Sequence, residues 1–157
     1  MNDLLGKKAE KKIQEWLDRP EEGYDFNRIP DQMSGLKGSD NICDFTLFKY
    51  PYHYYIESKA TYEDRFDFSM LTEKQYTGLL EKSKLPGVYG IVIVLFATYK
   101  QAFILNIQEI DRLNTSGKKS LNVKHIDKWG CWYKEIQTIP NNRKELLDYT
   151  GEFGLDY

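Results

Sequence analysis

Cysteine and histidine are scarce, with two of each in 157 residues. Cys43 and Cys131 have no metal-ligand spacing and cannot form a disulfide framework, so a reducing cytoplasm is the expected location. His53 and His125 are too few and too far apart for a zinc site or a catalytic triad. No run of about eighteen apolar residues is present, so no membrane-spanning helix and no membrane partner are expected. The N-terminal segment is polar and lacks the apolar core of a signal peptide. Positive charge is not in excess either: 22 Lys and Arg face 24 Asp and Glu, a net charge of −2. A protein held to nucleic acid by charge alone is more often basic. Any polyanion partner therefore requires lysines gathered on one face and acids gathered at a site. The chain is rich in apolar and aromatic side chains, at 41% and 15%, with twelve tyrosines. That suffices for residues 1–157 to form one globular domain with its own core.

Apolar spacing divides the chain into elements. Residues 3–19 read as a helix with a stripe of Leu5, Ala9, Ile13, Trp16 and Leu17 and with Lys7 and Lys11 roughly opposite, closed by Pro20 and Gly23. Residues 24–42 read as a loop or short stalk with a weakly marked strand near Asn27. Two alternating runs, 43–48 and 53–59, form a hairpin across Lys49-Tyr50-Pro51-Tyr52. Thr72 to Lys84 has helical spacing and ends at Pro86-Gly87. The run Ile91-Val92-Ile93-Val94-Leu95-Phe96 suits a strand buried on both faces, and 101–107 a strand returning beside it. A short helix from about Gln108 to Leu113 and a C-terminal helix around Arg143 to Tyr149 complete the order.

Chemistry concentrates in the hairpin as Asp-x12-Glu-x-Lys, formed by Asp44, Glu57 and Lys59. Alternation puts Glu57 and Lys59 on one face of their strand, and Ile56 and Ser58 on the other. If Phe48 faces His53 across the turn, Asp44 lies opposite Glu57, with Cβ atoms roughly 4.5–5.5 Å apart. Two carboxylates that close repel unless a hard divalent cation sits between them. Mg²⁺ favours one or two carboxylates together with water and phosphate.

These residues resemble the active site of the PD-(D/E)XK nucleases and, within them, the RecU-type Holliday junction resolvases. Gly6-Lys7-Lys8-Ala9-Glu10 is similar to the glycine and glutamate of that family's first helix. Asp44 and Glu57-Ser58-Lys59-Ala60-Thr61 resemble its Asp…Glu-Ala-Lys-Glu-Thr, with Ser58 in place of Ala and Ala60 in place of Glu. Phe66-Asp67-Phe68-Ser69-Met70-Leu71, followed by Gln75, resembles its Ser-Phe-x-Leu…His-Gln block, although Lys74 stands where a histidine is usual. Gly117-Lys118-Lys119-Ser120 resembles a basic Gly-Arg-Lys-Ser stretch. Where the family carries a longer basic stalk with a Thr-Pro motif, this chain has Arg28-Ile29-Pro30-Asp31, so residues 28–43 read as a shortened stalk.

The resemblance implies an α/β fold: a restriction-endonuclease-like core with a mixed central sheet flanked by helices. It implies a structure-selective endodeoxyribonuclease that resolves Holliday junctions in recombination and repair, of phage or low-GC bacterial type, using Mg²⁺ with Mn²⁺ as a substitute. Asp44, Glu57 and the Ser58 carbonyl would hold the cation, and Lys59 would orient or help deprotonate water and neutralise the phosphate. Asp40 rivals Asp44, but an Asx-turn explains it and its cross-strand pairing fails. Gln75 reads two ways, as a functional glutamine near the metal or as the partner of Thr72 in a capping box. Glu10 is either a helix-borne carboxylate facing the metal or a surface partner of Lys7 or Gln14. Lys7, Lys11, Arg28, Lys37 and Thr61 are the candidate DNA contacts, although a solvated helix face would explain the helix lysines equally. Lys118, Lys119 and Lys124 are equally ambiguous. The partner expected is branched, four-way DNA, and its two paired incisions imply a homodimer. Tyr50, Tyr52 and Tyr54 would serve that interface or the core. The rivals are another nuclease on this core, of restriction, DNA-end or fork type, and a non-catalytic junction-binding protein.

Overall fold

The structure, a computed structural model, describes residues 3–30, 41–140 and 147–155. Helix α1 (Asp3–Leu17) leads into β1 (Tyr24–Arg28), β2 (Phe45–Lys49), β3 (Tyr52–Thr61) and the short β4 (Arg65–Asp67). Helix α2 (Glu73–Lys82), β5 (Val88–Phe96), β6 (Gln101–Asn106) and α3 (Ile107–Thr115) follow. Four short strands close the chain: β7 (Ser120–Asn122), β8 (Lys134–Glu135), β9 (Gln137–Ile139) and β10 (Asp148–Thr150).

Six strands form one sheet in the order β1-β2-β3-β5-β6-β8. The β3–β5 ladder is parallel, with Glu57 beside Val92 and Lys59 beside Val94. The other ladders of this sheet are antiparallel, so the sheet is mixed. The β2–β3 hairpin has the expected register: Phe48 faces His53 and Phe45 faces Ile56. The expected double burial of β5 also holds, with every residue from Gly90 to Phe96 buried. Alternation then sorts the core into two layers. On one face, Leu5, Ala9, Ile13 and Leu17 of α1 pack against Ile56, Ile91 and Ile93. On the other, Leu79 of α2 and Ile107, Ile110 and Leu113 of α3 pack against Val92, Val94 and Phe103.

Three sequence expectations are corrected. The first helix ends at Leu17, not at residue 19, and only the Asp18 amide extends its bonding, to the Gln14 carbonyl at 2.9 Å. The weakly marked strand expected near Asn27 is present as β1, so residues 24–28 of the loop expected over 24–42 are strand. Tyr24 and Phe26 turn toward the α1 layer while Asp25 and Asn27 stay exposed, which is half-buried strand alternation. The C-terminal helix expected around 143–149 is not what Asp148–Thr150 forms. That segment is a strand antiparallel to β9, and Tyr149 sets its ring edge-on to Trp16 at 5.7 Å. Residues 143–146 of that expectation lie outside the described residues. Lys37, Asp40 and the middle of the supposed stalk also lie outside them.

Candidate active site

Glu57 and Lys59 project from β3 toward the face that α2 covers. Glu57 is 3% exposed. Its Oε2 accepts from Gln75 Nε2 at 3.0 Å and lies 3.2 Å from Lys59 Nζ. Its Oε1 is buried with no hydrogen-bond partner. One oxygen is thus saturated by donors while the other has none.

Asp44 stands one residue before β2, where the ladder becomes irregular. Its amide donates to the Ile56 carbonyl of β3 at 3.0 Å, while its carbonyl accepts from the Ile29 amide, just beyond β1, at 2.8 Å. In a regular antiparallel strand both groups of one residue serve the same neighbour. The bulge-like twist at Asp44 re-aims its side chain, and its carboxylate accepts from the Ser58 amide at 2.9 Å. Burial raises the Asp44 pKa, and the Ser58 amide draws it back. Glu57 is pushed up to about 8, first by burial and then by the Asp44 charge, with Lys59 opposing. Without a cation the two carboxyl groups titrate as a coupled pair, and burial makes that pair keep a proton to higher pH than an exposed carboxyl would.

Gln75 forms the capping box with Thr72 and, in the same conformation, a hydrogen bond to Glu57. Thr72 caps α2, its hydroxyl accepting from the Gln75 amide at 3.1 Å while the Thr72 amide donates to Gln75 Oε1 at 3.0 Å. The remaining end of the Gln75 side chain, Nε2, donates to Glu57. The capping box was the visible signal for Thr72, but read as an alternative to a functional Gln75 it concealed Thr72's link to the site. Glu10 is placed differently. It lies on α1, beneath the opposite face of the sheet, and pairs with Arg28 Nη2 at 3.2 Å. Arg28 also lies over the Phe45 ring, and its positive charge lowers the Asp44 pKa. The ion pair links Glu10 through Arg28 to the edge of the site. That pairing joins a helix and a strand that sequence spacing does not connect.

Lys7 and Lys11 are exposed on α1. Thr61, at the end of β3, accepts from the Glu63 amide at 3.0 Å and so closes a turn. Lys118 donates to the carbonyls of Lys128 and Trp129, and Lys119 to Asn114. Lys124 lies 3.6 Å from Asp64. Tyr54 is core, whereas Tyr50 and Tyr52 are exposed.

The family model of recombination protein U, RecU, matches residues 38–151. The chain belongs to the RecU family. The RecU match includes Asp44, Glu57, Ser58, Lys59, Thr61 and Gln75, and it begins after Glu10 and Arg28. Among solved structures, the chain is similar to Archaeoglobus fulgidus Hjc, a Holliday junction resolvase from an archaeal hyperthermophile. The TM-score is 0.51 at 17% identity, over 76% of this chain and 89% of that one. This likeness shows a shared fold, the restriction-endonuclease-like core that the RecU motifs imply. No curated protein sequence matches the chain.

The residues present fit a divalent cation. A buried oxygen without a donor, beside a second carboxylate, is the arrangement a cation would complete. Among the described residues no group of three His, Cys, Asp or Glu side chains is close enough to hold a metal. Two carboxylates are what Mg²⁺ commonly takes from a protein when water and phosphate supply the rest. No described helix is long and apolar enough to cross a membrane.

Proposed function

We propose that this RecU-family protein is an endodeoxyribonuclease that resolves Holliday junctions, with Asp44, Glu57 and Lys59 as its reaction centre. The observation that carries the reading is the donor-less Glu57 Oε1, buried beside Asp44 and held by Gln75 and Lys59 from its other oxygen. Asp44, Glu57 and the Ser58 carbonyl would hold Mg²⁺, or Mn²⁺ in its place. When bound, the cation supplies the charge that polarises the scissile phosphate and makes water acidic enough to attack it.

The chain's own groups do the remainder. Lys59, only 14% exposed, orients the attacking water or helps deprotonate it, and neutralises the charge building on the phosphate. Water oxygen bonds to phosphorus, one phosphodiester P–O bond breaks, and the leaving oxygen takes a proton. Gln75 fixes Glu57. Glu10 acts through Arg28 at the edge of the site. Lys7, Lys11, Arg28 and Thr61 contact the backbone of the junction arms, and Lys37 joins them by its sequence position. The protein works as one nuclease domain in a homodimer, because resolution needs two incisions related by the two-fold symmetry of the substrate. Of the phage and low-GC bacterial origins, the small size and the shortened stalk read from the sequence favour phage, and the place of action is the cytoplasm.

The test is incision of a labelled four-way junction in Mg²⁺, beside fork, duplex and single-stranded DNA, with Glu57→Ala as control. Paired symmetric nicks on the junction, absent from the variant, are expected. Cutting of linear or forked DNA alone would move the protein to another nuclease branch. Binding without cutting in Mg²⁺ and in Mn²⁺ would make it a junction-binding protein.

A further inference from the structure

We propose that Thr72 is a positioning residue for the reaction centre: its backbone amide fixes which end of the Gln75 side chain faces Glu57. The proposal rests on the reaction centre assigned above. A glutamine amide has an acceptor end and a donor end of nearly equal size, so its orientation is decided by its partners. Here the Thr72 N–H donates to Gln75 Oε1 at 3.0 Å, a role the amide nitrogen of Gln75 cannot fill. That bond leaves Nε2 pointing at Glu57 Oε2, 3.0 Å away. Flipped, the side chain would set an amide oxygen against a buried carboxylate and an amide nitrogen against a backbone N–H.

The consequence reaches the metal-facing atom. With Gln75 and Lys59 both on Oε2, the other oxygen of Glu57, Oε1, is buried beside Asp44 with no donor, in the place a cation would take. The first turn of α2 thereby acts as a clamp on the carboxylate. It transmits the backbone position of the segment 71–72, which Leu71 anchors in the core, to the reaction centre.

The backbone allows the amide to be removed by itself. Thr72 has φ −67° and ψ 161°, and Leu71 before it has φ −79° and ψ 129°. Both suit a proline at position 72. Thr72→Ala removes the hydroxyl cap but keeps the N–H, whereas Thr72→Pro removes both. Mn²⁺ affinity is measured by calorimetry without DNA, and kcat and KM on a four-way junction, for both variants and for each combined with Gln75→Ala. Thr72→Pro is expected to bind Mn²⁺ about tenfold more weakly than Thr72→Ala and to lower kcat with little change in KM. It should add nothing further in the Gln75→Ala background, as residues acting through one another do not add. Equal Mn²⁺ affinity in the two Thr72 variants, or a full additional loss on top of Gln75→Ala, would overturn the proposal.

A reciprocal measurement does not depend on the proline variant folding. Glu57→Ala releases Gln75, so amide hydrogen exchange at Thr72 should quicken several-fold, and unchanged exchange would break the link. If Glu57→Ala itself kept Mn²⁺ binding and cleavage, the failure would lie with the reaction centre and not with Thr72.

Discussion

Glu57 is buried, carries one oxygen without a donor, and is pushed up to about 8. A carboxyl group whose folded pKa is raised contributes stability that is fully present below its ordinary value and is lost as pH rises through the folded one. In EDTA the thermal midpoint should therefore fall between about pH 5 and pH 8, and Glu57→Gln should flatten that slope. Scanning calorimetry across this range checks it, and a midpoint rising with pH would contradict the assignment. The same proton must leave when a cation enters, so Mg²⁺ affinity should climb over the same interval. Lys59 supplies the positive charge nearest the pair. Lys59→Met should lower the cleavage rate by roughly 10²-fold or more while leaving junction binding in Ca²⁺ within a few-fold, a contrast that single-turnover kinetics beside gel-shift titration would resolve.

Helix α2, which carries Gln75 to Glu57, lies close against β5 at Gly90. A Cβ on Gly90 would stand 2.7 Å from the Leu79 carbonyl oxygen and 2.7 Å from Ile107 Cγ2. Neither neighbour can yield easily, one being backbone and the other core. Gly90→Ala should therefore cost about 1–3 kcal/mol and reduce cleavage as α2 is lifted from the sheet. A denaturant titration read together with the cleavage rate measures both effects, and full stability in the variant would rule out that close contact. At this scale the sequence is most legible where period and turn agree: the β2–β3 register follows from alternation on either side of a short turn, and β5 from an unbroken apolar run. It is least legible where a local departure or a distant pairing decides. The irregular backbone at Asp44 breaks the alternation that sequence reading relies on, although it leaves the partnership with Glu57 in place. Glu10 reaches Arg28 through the packing of α1 beneath the sheet, which no spacing announces. Strands of two or three residues, such as β8 and β10, are too short to show a period, so 148–150 reads as part of a helix until Tyr149 is seen against Trp16.

For the molecule as a whole, a net charge of −2 means that junction affinity must come from local placement of lysine and arginine, not from overall attraction. If the working unit is a dimer with one reaction centre per subunit, mixing wild-type chains with an excess of Glu57→Ala should turn a cruciform plasmid into nicked circles in place of linear DNA. Agarose gels separate the two products, and linear product undiminished by the excess would place both incisions in one chain. The β3–β5 ladder is the one parallel pairing among the described residues of the large sheet, and parallel neighbours require a long crossover. The crossover between these two strands is the segment that carries Thr72 and Gln75. Long-range pairings form late, since loop closure must precede their reward. The hairpin can therefore bring Asp44 and Glu57 together early, while their clamp arrives only when the sheet closes. A newly made chain should thus acquire its cutting activity only with its finished shape, and remain harmless to DNA until then.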